Sequence, residues 1–368
     1  MAEARKPKQE QEDAAPDVAE VAPNVLRMQL PISMPGLGHV NAYALVDHRG
    51  AAVVDPGMPG PKSWSALGDR LAKAGLALRD VHTVVVTHSH PDHFGGAGRL
   101  AAEAGADVVT HAAFRSWWTP HRHDHDDADH TSDAGSDVDP ADLPPPRTTS
   151  GPPWSGPTPW GGKGFRPPLR RRVAYRVMGS RFGRRFQPPE PTSRLRHGDV
   201  VKLAGREWHA VHTPGHTLDH LCLHDPETGV LLSGDHVLPT ITPHISGMNT
   251  GRDPLALFFD SLDRVAALDR VTTVLPAHGH PFTDVAARVG AIKEHHRDRL
   301  DRLRIAAAEI GGAATVEEFS HHLFRQARWG PMAESETYAH LEHLRIAGLA
   351  TSHELRGVVR FEVEPLRV

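Results

Sequence analysis

The chain has 368 residues, with 41 basic and 45 acidic side chains and a formal net charge of −4. The length predicts one large domain plus a smaller one, and the near-balanced charge argues against an electrostatic grip on nucleic acid by the whole protein. A single cysteine excludes an internal disulfide framework and fits a reducing compartment.

The N-terminal segment, residues 1–23, is rich in Lys, Glu, Gln, Asp, Ala and Pro, and it is predicted to be a disordered tail. It lacks the apolar stretch of a secretory signal. No run of about 18 apolar residues occurs elsewhere, so no membrane span is expected. We therefore expect a cytoplasmic protein.

Ordered structure is expected from Asn24, where apolar and polar residues begin to alternate as in a strand. Two similar halves follow, separated by an interruption at about 112–194. The first half is predicted to contain strands at 25–30, 41–46, 51–55, 81–86 and 107–110 and helices at 61–75 and 98–104. The second half is predicted to contain strands at 200–203, 208–212, 220–224, 230–233 and 272–275 and a helix at 254–268. This order predicts an α/β (α+β) fold in which two sheets pack face to face with helices outside.

The motif Thr87-His88-Ser89-His90-Pro91-Asp92-His93-Phe94-Gly95-Gly96 directly follows a short apolar run. Neutral imidazole and carboxylate groups are ligands that suit zinc and similar divalent metals. Neighbouring side chains of an irregular turn point in different directions, so one such turn can serve two ions. The motif therefore predicts a metal site at the end of a buried strand.

Three later segments each supply one further candidate ligand. His216 lies in Thr213-Pro214-Gly215-His216-Thr217, Asp235 ends an apolar run, and His278 follows Val274-Leu275-Pro276-Ala277. Each comes after strand-like residues or a Pro/Gly turn. A lone histidine after a strand is usually an ordinary loop residue, so the ordered set carries the inference.

With these residues, the chain resembles the metallo-β-lactamase superfamily of metal-dependent hydrolases over about residues 25–295. The first motif matches the family's His-x-His-x-Asp-His pattern, and the later motifs follow in order. The resemblance implies an αββα sandwich with metals at one edge. It also implies that His88, His90 and His216 hold a first metal, that Asp92, His93 and His278 hold a second, and that Asp235 bridges the two.

Three other residues invite a role near this site. The resemblance makes Asp55 a partner of a ligand imidazole, while an ordinary turn aspartate before Pro-Gly is an equal alternative. For His220 a supporting role is favoured over metal binding. Cys222 lies in an apolar run and is predicted to belong to the core, so the cysteine that antibiotic-degrading members use at the second metal is not evident.

The interruption at about 112–194 has two parts. Its first part alternates histidine and aspartate at 121–130 and is then dense in proline, which favours a disordered loop over a low-affinity metal trap. Its second part, about 169–186, is predicted to be an amphipathic basic helix. We favour a lid whose arginines hold an anionic group over a merely solvated helix face.

The C-terminal region, residues 291–368, is predicted to fold as a small winged-helix-like domain. A long charged helix is followed by a helix with Thr315 as N-cap and Glu318 as its capping-box partner, by a third helix at 335–347 and by a hairpin. One branch of the superfamily, which includes thioesterases and an endoribonuclease, carries such a domain. The region has 11 basic and 12 acidic residues, so DNA binding is disfavoured.

The function that these features favour is a dinuclear metal-dependent hydrolase that uses a metal-bound hydroxide on an ester, thioester or lactone. Asp92 and Asp235 are the predicted catalytic carboxylates. Two divalent cations are expected; zinc is favoured, and manganese or iron fit the same ligands. Metal-bound water or His280 is a candidate for protonating a poor leaving group.

Two alternatives stay open. One is a metal-dependent phosphodiesterase or endoribonuclease, because the same site can attack phosphorus. The other is a winged-helix regulator of nucleic acid with a structural metal site. The expected partner is a small-molecule or carrier-bound acyl substrate, with nucleic acid less favoured and no membrane; the oligomeric state is left open.

Overall fold

The computed structural model describes residues 8–115, 158–162, 169, 172, 173, 187, 190–248 and 253–366. Two β-sheets and the helices that cover them make up most of this part of the chain. A third, three-stranded sheet lies in the C-terminal region. The mixed α/β architecture predicted from the sequence is confirmed.

The first sheet contains seven strands that lie side by side in chain order. They are β1 (Val18–Ala22), β2 (Val25–Met34), β3 (Leu37–Asp47), β4 (Gly50–Val54), β5 (Val81–Val85), β6 (Asp107–His111) and β7 (Ser193–Leu195). The pairs from β1 to β4 are antiparallel. The pairs from β4 to β7 are parallel, with helical crossovers between β4, β5 and β6.

The second sheet contains five strands in the order β12-β11-β10-β9-β8. They are β8 (Val200–Leu203), β9 (Arg206–His212), β10 (Leu221–Asp225), β11 (Val230–Gly234) and β12 (Thr273–Pro276). Strands β8 to β11 pair antiparallel, and β11 pairs parallel with β12. Strands β9, β11 and β12 therefore run in the same direction.

Seven helices are described, and their ends follow the chemistry of their caps. They are α1 (Pro61–Lys73), α2 (Pro91–Phe94), α3 (Ala97–Ala104), α4 (Pro254–Ala266), α5 (Val285–Ile310), α6 (Val316–Leu323) and α7 (Pro331–Ile346), with short 3₁₀ turns at Gln9–Gln11, Leu78–Asp80 and Gln326–Arg328. Asp253 and Asp284 cap α4 and α5, and Thr315 with Glu318 forms the predicted capping box of α6.

The apolar core lies in layers. Side chains of both sheets, among them Tyr43, Trp208 and Leu232, form one buried cluster between them. A second cluster joins the outer face of the first sheet to α1 and α3, and a third joins the outer face of the second sheet to α4 and α5. The predicted order of helix, sheet, sheet and helix is confirmed by these contacts.

The strand ends that matter for function meet at one edge. Strands β4 and β5 are parallel neighbours in the first sheet, and β9, β11 and β12 share a direction in the second. The carboxyl ends of parallel strands lie at the same edge of a sheet. Residues that directly follow these five strands are therefore brought together.

The C-terminal region packs on the long helix α5. Helices α6 and α7 and a sheet of β13 (Ala314–Thr315), β14 (Ala350–Leu355) and β15 (Val358–Val363) surround a fourth apolar cluster. The first half of α5 contributes to the core of the second sheet and the second half to this cluster. The predicted domain boundary at residue 290 falls inside this continuous helix.

The predicted disordered tail is also wrong for residues 8–23. Strand β1 pairs with β2 at the edge of the first sheet. The carboxylate of Glu10, which is fully buried, accepts hydrogen bonds from the backbone N–H groups of Thr240 (2.7 Å) and Ile241 (3.0 Å). A polar composition concealed these contacts, because each is made with a distant segment.

The interruption at 112–194 is ordered at two places that the sequence analysis missed. Its end forms β7, which pairs with β6. Trp160 is buried in the C-terminal cluster, its indole N–H donates to Glu334 (3.1 Å), and its carbonyl accepts from Val359 (3.0 Å). The prediction of disorder is therefore wrong for this part of the proline-dense stretch.

The histidine- and aspartate-rich run at 121–130 lies outside the described residues. Most of the predicted basic helix at 169–186 also lies outside them, apart from Leu169, Arg172 and Val173, which are helical and exposed. Within the described part of the chain, no helix has the length and apolar character needed to cross a membrane.

Candidate metal centre

The motif that follows β5 is shaped by a turn and the short helix α2. Pro91 opens this helix, where its missing N–H costs no hydrogen bond. Asp92 and His93 are buried on it. A Cβ added at Gly95 would lie 2.1 Å from the backbone nitrogen of Pro59. Glycine at this position therefore allows the motif to pack against the turn after β4.

Four side chains form a first group of candidate ligands. Nε2 of His88 lies 3.0 Å from Nδ1 of His90, and Nε2 of His216 lies 3.1 Å from the same atom. Oδ2 of Asp235 lies 3.6 Å from Nε2 of His216. Since one donor atom from each residue falls within 4.8 Å of the others, the four can hold one metal ion.

Asp92, His93 and His278 form a second group on the other side of Asp235. Oδ2 of Asp92 lies 3.6 Å from Nε2 of His93 and 3.5 Å from Nε2 of His278. Oδ1 of Asp235 lies 3.3 Å from Nε2 of His278, and its Oδ2 lies 3.6 Å from Nε2 of His93. The carboxylate of Asp235 therefore faces both groups.

Two of the imidazoles are held by a buried network around Asp55. Nδ1 of His93 donates to Oδ2 of Asp55 over 2.8 Å. The hydroxyl of Thr87 donates to the same oxygen over 2.8 Å and lies 3.0 Å from Nδ1 of His88, from which it accepts. Because Nδ1 of each ring carries the proton, Nε2 offers its lone pair to the candidate centre. Asp55 is thus a partner of an imidazole, as the resemblance implied.

Two other imidazoles are held by backbone carbonyls. Nδ1 of His216 donates to the carbonyl of His244 over 2.7 Å, and Nδ1 of His278 donates to that of His39 over 2.6 Å. These contacts fix the same tautomer as in His88 and His93. The sequence analysis missed His39, His244 and Thr87, because a carbonyl acceptor leaves no mark on residue type and Thr87 has no distinctive spacing.

His220 supports the centre without belonging to either group. Its Nε2 accepts the backbone N–H of Asp235 over 3.0 Å, and its Nδ1 lies 2.7 Å from the hydroxyl of Thr213. The ring therefore fixes the backbone from which the Asp235 carboxylate projects. The predicted supporting role of His220 is consistent with this geometry.

The donor set of the centre fits divalent metals. Nε2 of His93, Nε2 of His278 and Oδ1 of Asp235 are buried atoms without a hydrogen-bond partner among the described residues. Buried polar atoms are nearly always paired, so three such atoms facing one another point to a missing ligand. Imidazole nitrogen with carboxylate oxygen is a donor set that suits zinc, iron and manganese.

The charges of the candidate ligands also indicate that this centre binds cations. Burial disfavours a charged imidazole, but Asp235 and Asp92 outweigh it and raise the pKa of His278 to about 10. Burial likewise opposes charge on Asp235, yet His278 and His93 hold the pKa of Asp235 well below its usual range. Buried carboxylates here need positive charge, which protons supply in the metal-free state and cations supply when bound.

Cys222 and His280 lie apart from this chemistry. Cys222 is fully buried beside Thr213, and burial raises the pKa of its thiol to about 12, so it stays a thiol. The core assignment of Cys222 is confirmed. His280 is bonded through Nε2 to Glu12 (2.9 Å) and through Nδ1 to Arg27 (3.2 Å), which leaves neither ring nitrogen available as an acid for a leaving group.

The fold and the two His/Asp groups define an α/β protein with a candidate dinuclear metal centre. A sequence profile of the metallo-beta-lactamase superfamily matches residues 35–304. The chain belongs to this superfamily, and its family, relatives and His/Asp groups are those of a metal-dependent hydrolase.

Curated relatives match the chain to different extents. The probable metallo-hydrolase YqjP of Bacillus subtilis is 25% identical over 92% of this chain and 98% of its own length. The lactamase-like protein nscB of Trichophyton rubrum is 31% identical, but the match covers only 36% of this chain and 39% of that protein. The acyl-coenzyme A thioesterase MBLAC2 of Bos taurus is 43% identical over 53 residues, which cover 14% of this chain and 19% of that protein.

Two solved structures share most of the architecture. A metallo-beta-lactamase family protein from Thermus thermophilus superposes with a TM-score of 0.70 at 28% identity and covers 94% of this chain and 100% of its own. A beta-lactamase domain protein from Burkholderia ambifaria gives a TM-score of 0.69 at 27% identity and covers 95% and 96% of the two chains.

Proposed function

We propose that this chain is a dinuclear metal-dependent hydrolase that acts on an ester, thioester or lactone. One observation carries the proposal: seven side chains with metal-binding atoms form two adjacent groups, and the carboxylate of Asp235 faces both of them. A structural zinc site is usually closed and mononuclear. Two groups that face one carboxylate instead match the arrangement of two-metal hydrolytic sites.

In this proposal His88, His90 and His216 bind one cation, Asp92, His93 and His278 bind the other, and Asp235 bridges them. When bound, the cations supply Lewis acidity and lower the pKa of a coordinated water towards neutrality. Zinc is the favoured metal, and manganese or iron suit the same donors.

The protein's own residues orient this chemistry. Asp55, Thr87 and the carbonyls of His39 and His244 hold four imidazole rings with Nε2 towards the centre. His220 holds the backbone of Asp235. Because these partners are fixed before substrate arrives, little reorganisation is needed during the reaction.

The acyl substrate class is supported by chemistry and by one relative. A thiolate or enolate leaves without a proton, which suits a site where His280 has both ring nitrogens bonded elsewhere. The short match with MBLAC2 is to a protein named as an acyl-coenzyme A thioesterase. We therefore place a small-molecule or carrier-bound acyl thioester first within the class.

The C-terminal helices α5 to α7 and the sheet of β13 to β15 form, in this proposal, a winged-helix-like accessory unit. Glu336 of α7 is buried in an ion pair with Arg299, and Glu342 pairs with Arg345. A helix that reads nucleic acid presents basic residues, so we assign the unit to shaping the active site. The proposed location is the cytoplasm.

The test is hydrolysis by metal-loaded protein across acyl-coenzyme A thioesters, aryl esters, lactones, a bis-phosphodiester and single-stranded RNA. Asp235→Ala and Asp92→Asn are compared with Asp263→Asn, a carboxylate that pairs with Lys293 at the surface. We expect turnover of an acyl substrate by the wild type and by the control, and its loss in both site variants.

Turnover of the phosphodiester or RNA alone would instead establish the phosphodiesterase or endoribonuclease. Inactivity across the panel, together with metal-independent DNA binding, would establish the winged-helix regulator. Full acyl activity in Asp235→Ala would refute the bridging role of that carboxylate.

A further inference from the structure

One loop connects the candidate metal centre to the C-terminal helix α7. This segment, residues 239–248, is called the bridging loop. Its His244 carbonyl accepts the Nδ1–H of His216 over 2.7 Å, so the loop sets the rotation of that imidazole. His216 belongs to the group that also contains His88, His90 and Asp235.

The bridging loop is held against α7 by its backbone. The N–H of Gly247 donates to the carbonyl and to the hydroxyl of Ser335, over 3.1 Å in each case. A Cβ added at Gly247 would lie 2.6 Å from Cδ1 of Tyr338. Ile245 is fully buried in the same cluster as Ala339 of α7. These contacts anchor the loop to this helix at positions 245 and 247, on the C-terminal side of His244.

A carboxylate of α7 also holds the side chain of His244. Oε2 of Glu336 lies 3.4 Å from Nδ1 of His244, while the other oxygen pairs with the guanidinium of Arg299 on α5. Glu336 is only 8% exposed. Burial opposes its charge, but Arg299 and then His244 keep the pKa of Glu336 well below its usual range. Two contacts thus fix both the backbone and the ring of the residue that orients His216.

We propose that Glu336 is a positioning residue of the metal centre, acting through His244 on the His216 side of the site. The proposal rests on the proposed dinuclear function and extends it: the C-terminal helix is part of the machinery that sets metal affinity. Arg299 contributes by fixing the carboxylate, and none of these three residues belongs to the two groups of candidate ligands.

The two substitutions that break this link do so differently. His244→Ala removes the ring, whose side chain is 23% exposed, and leaves the Glu336–Arg299 pair intact. Glu336→Gln keeps the shape of the side chain, but the permanent donors of Arg299 take its amide oxygen. The NH₂ group then faces the Nδ1–H of His244, so the ring moves its proton to Nε2 or loses the contact, and the charged acceptor is lost in either case.

His343→Ala is a matched control for His244→Ala. Its ring is 22% exposed and bonds Asp253, the N-cap of α4, over 3.0 Å. Glu342→Gln is the control on the same helix for Glu336→Gln, because the described contact of the Glu342 carboxylate is with Arg345 of the same helix α7.

The experiment is stepwise Co²⁺ binding to metal-free protein against a competing chelator, with the visible spectrum of the bound Co²⁺ and the thermal midpoint recorded for each variant. In His244→Ala, and to a smaller extent in Glu336→Gln, we expect one of the two cations to bind up to roughly 10-fold more weakly, the lower end of the effect of losing a partner of a ligand imidazole. The His244 carbonyl remains in both variants but is held less firmly. The other cation keeps its wild-type affinity, and the spectrum of the weakened site changes.

The double variant His244→Ala/Glu336→Gln should bind no more weakly than the weaker single variant, because the two residues act in one chain of contacts. Wild-type Co²⁺ affinity and spectrum in His244→Ala would overturn the proposal. Equal weakening in His343→Ala would also overturn it, since the effect would then belong to general loss of packing.

This outcome is separable from failure of the proposed function. Metal affinity and spectrum are measured without substrate, so the contacts from Glu336 through His244 to His216 can be tested even in an inactive protein. Binding of a single Co²⁺ per wild-type chain would refute the dinuclear proposal, whereas two bound cations with unchanged variants would refute only the role of Glu336.

Discussion

Substituting Asp55 by asparagine tests whether the carboxylate of Asp55 fixes the tautomer of the ligand His93. Asp55 has a positive φ of 53°, a conformation that asparagine also tolerates. The backbone of the turn is therefore unchanged by the substitution. Oδ1 accepts from the N–H of Thr87 (2.9 Å), and Oδ2 accepts from the hydroxyl of Thr87 and from Nδ1 of His93.

An amide satisfies only part of this pattern. If its oxygen keeps the N–H of Thr87, its NH₂ group faces Nδ1 of His93 and forces the ring to carry its proton on Nε2, the atom that faces the candidate metal. If the amide turns over, its NH₂ group meets the N–H of Thr87 donor to donor. Either arrangement costs a buried hydrogen bond.

We expect the group formed by Asp92, His93 and His278 to bind its cation roughly 10–100-fold more weakly in Asp55→Asn. That loss corresponds to about 1.4–2.7 kcal/mol of binding free energy. The assay is chelator competition with Zn²⁺, read as two successive binding constants, with hydrolysis of the best acyl substrate measured in parallel.

Asp47→Asn is the matched control. Asp47 also lies 3.4 Å from a histidine ring, that of His82, but at the opposite edge of the same sheet. Its variant should bind both cations as the wild type does. Two wild-type binding constants in Asp55→Asn would refute the reasoning, because an amide would then serve as well as the carboxylate.

Three further predictions concern stability. Trp160→Ala should lower the free energy of unfolding by roughly 3–5 kcal/mol in urea titrations, whereas the half-exposed Trp329 should be replaced by alanine with a much smaller effect. Glu10→Ala should cost roughly 1–3 kcal/mol, since it leaves the N–H groups of Thr240 and Ile241 without the carboxylate oxygen that accepts both; an unchanged urea midpoint would contradict this. Burial lowers the pKa of His340 to about 4, so the unfolded state binds more protons below pH 6.5 and the contribution of this ring to stability should fall by about 3 kcal/mol down to about pH 4; His340→Leu should reduce the loss of stability over this range by about that amount.

The sequence predicted the parts of the fold that repeat a local pattern. Alternation gave the strands around the centre, and the capping box at Thr315 and Glu318 was read from two residues. The candidate ligands could be named because their chemistry depends on residue type, and four of them lie within six positions of each other. Strand ends at one edge then bring His216, Asp235 and His278 to the motif.

The sequence could not predict features that depend on contacts between distant segments. Glu10 looked like part of a polar tail because its partners, Thr240 and Ile241, lie about 230 residues away. Trp160 stands in a proline-dense stretch, and only the C-terminal cluster explains its burial. The boundary predicted at residue 290 falls inside α5, a helix that contributes to two apolar clusters and has no break in its pattern.

The N-terminal segment and the C-terminal helix α7 orient candidate ligands by the same kind of contact. The N-terminal segment bonds the ring of His39 through the carbonyl of Glu12 (2.8 Å), and the His39 carbonyl holds His278. The C-terminal helix bonds the ring of His244 through Glu336, and the His244 carbonyl holds His216. In each case a histidine outside the centre is fixed by its ring and orients a candidate ligand by its backbone. The two groups of donors therefore depend on two distant segments, the one that contains Glu12 and helix α7, and a change in either segment should act on one group before the other.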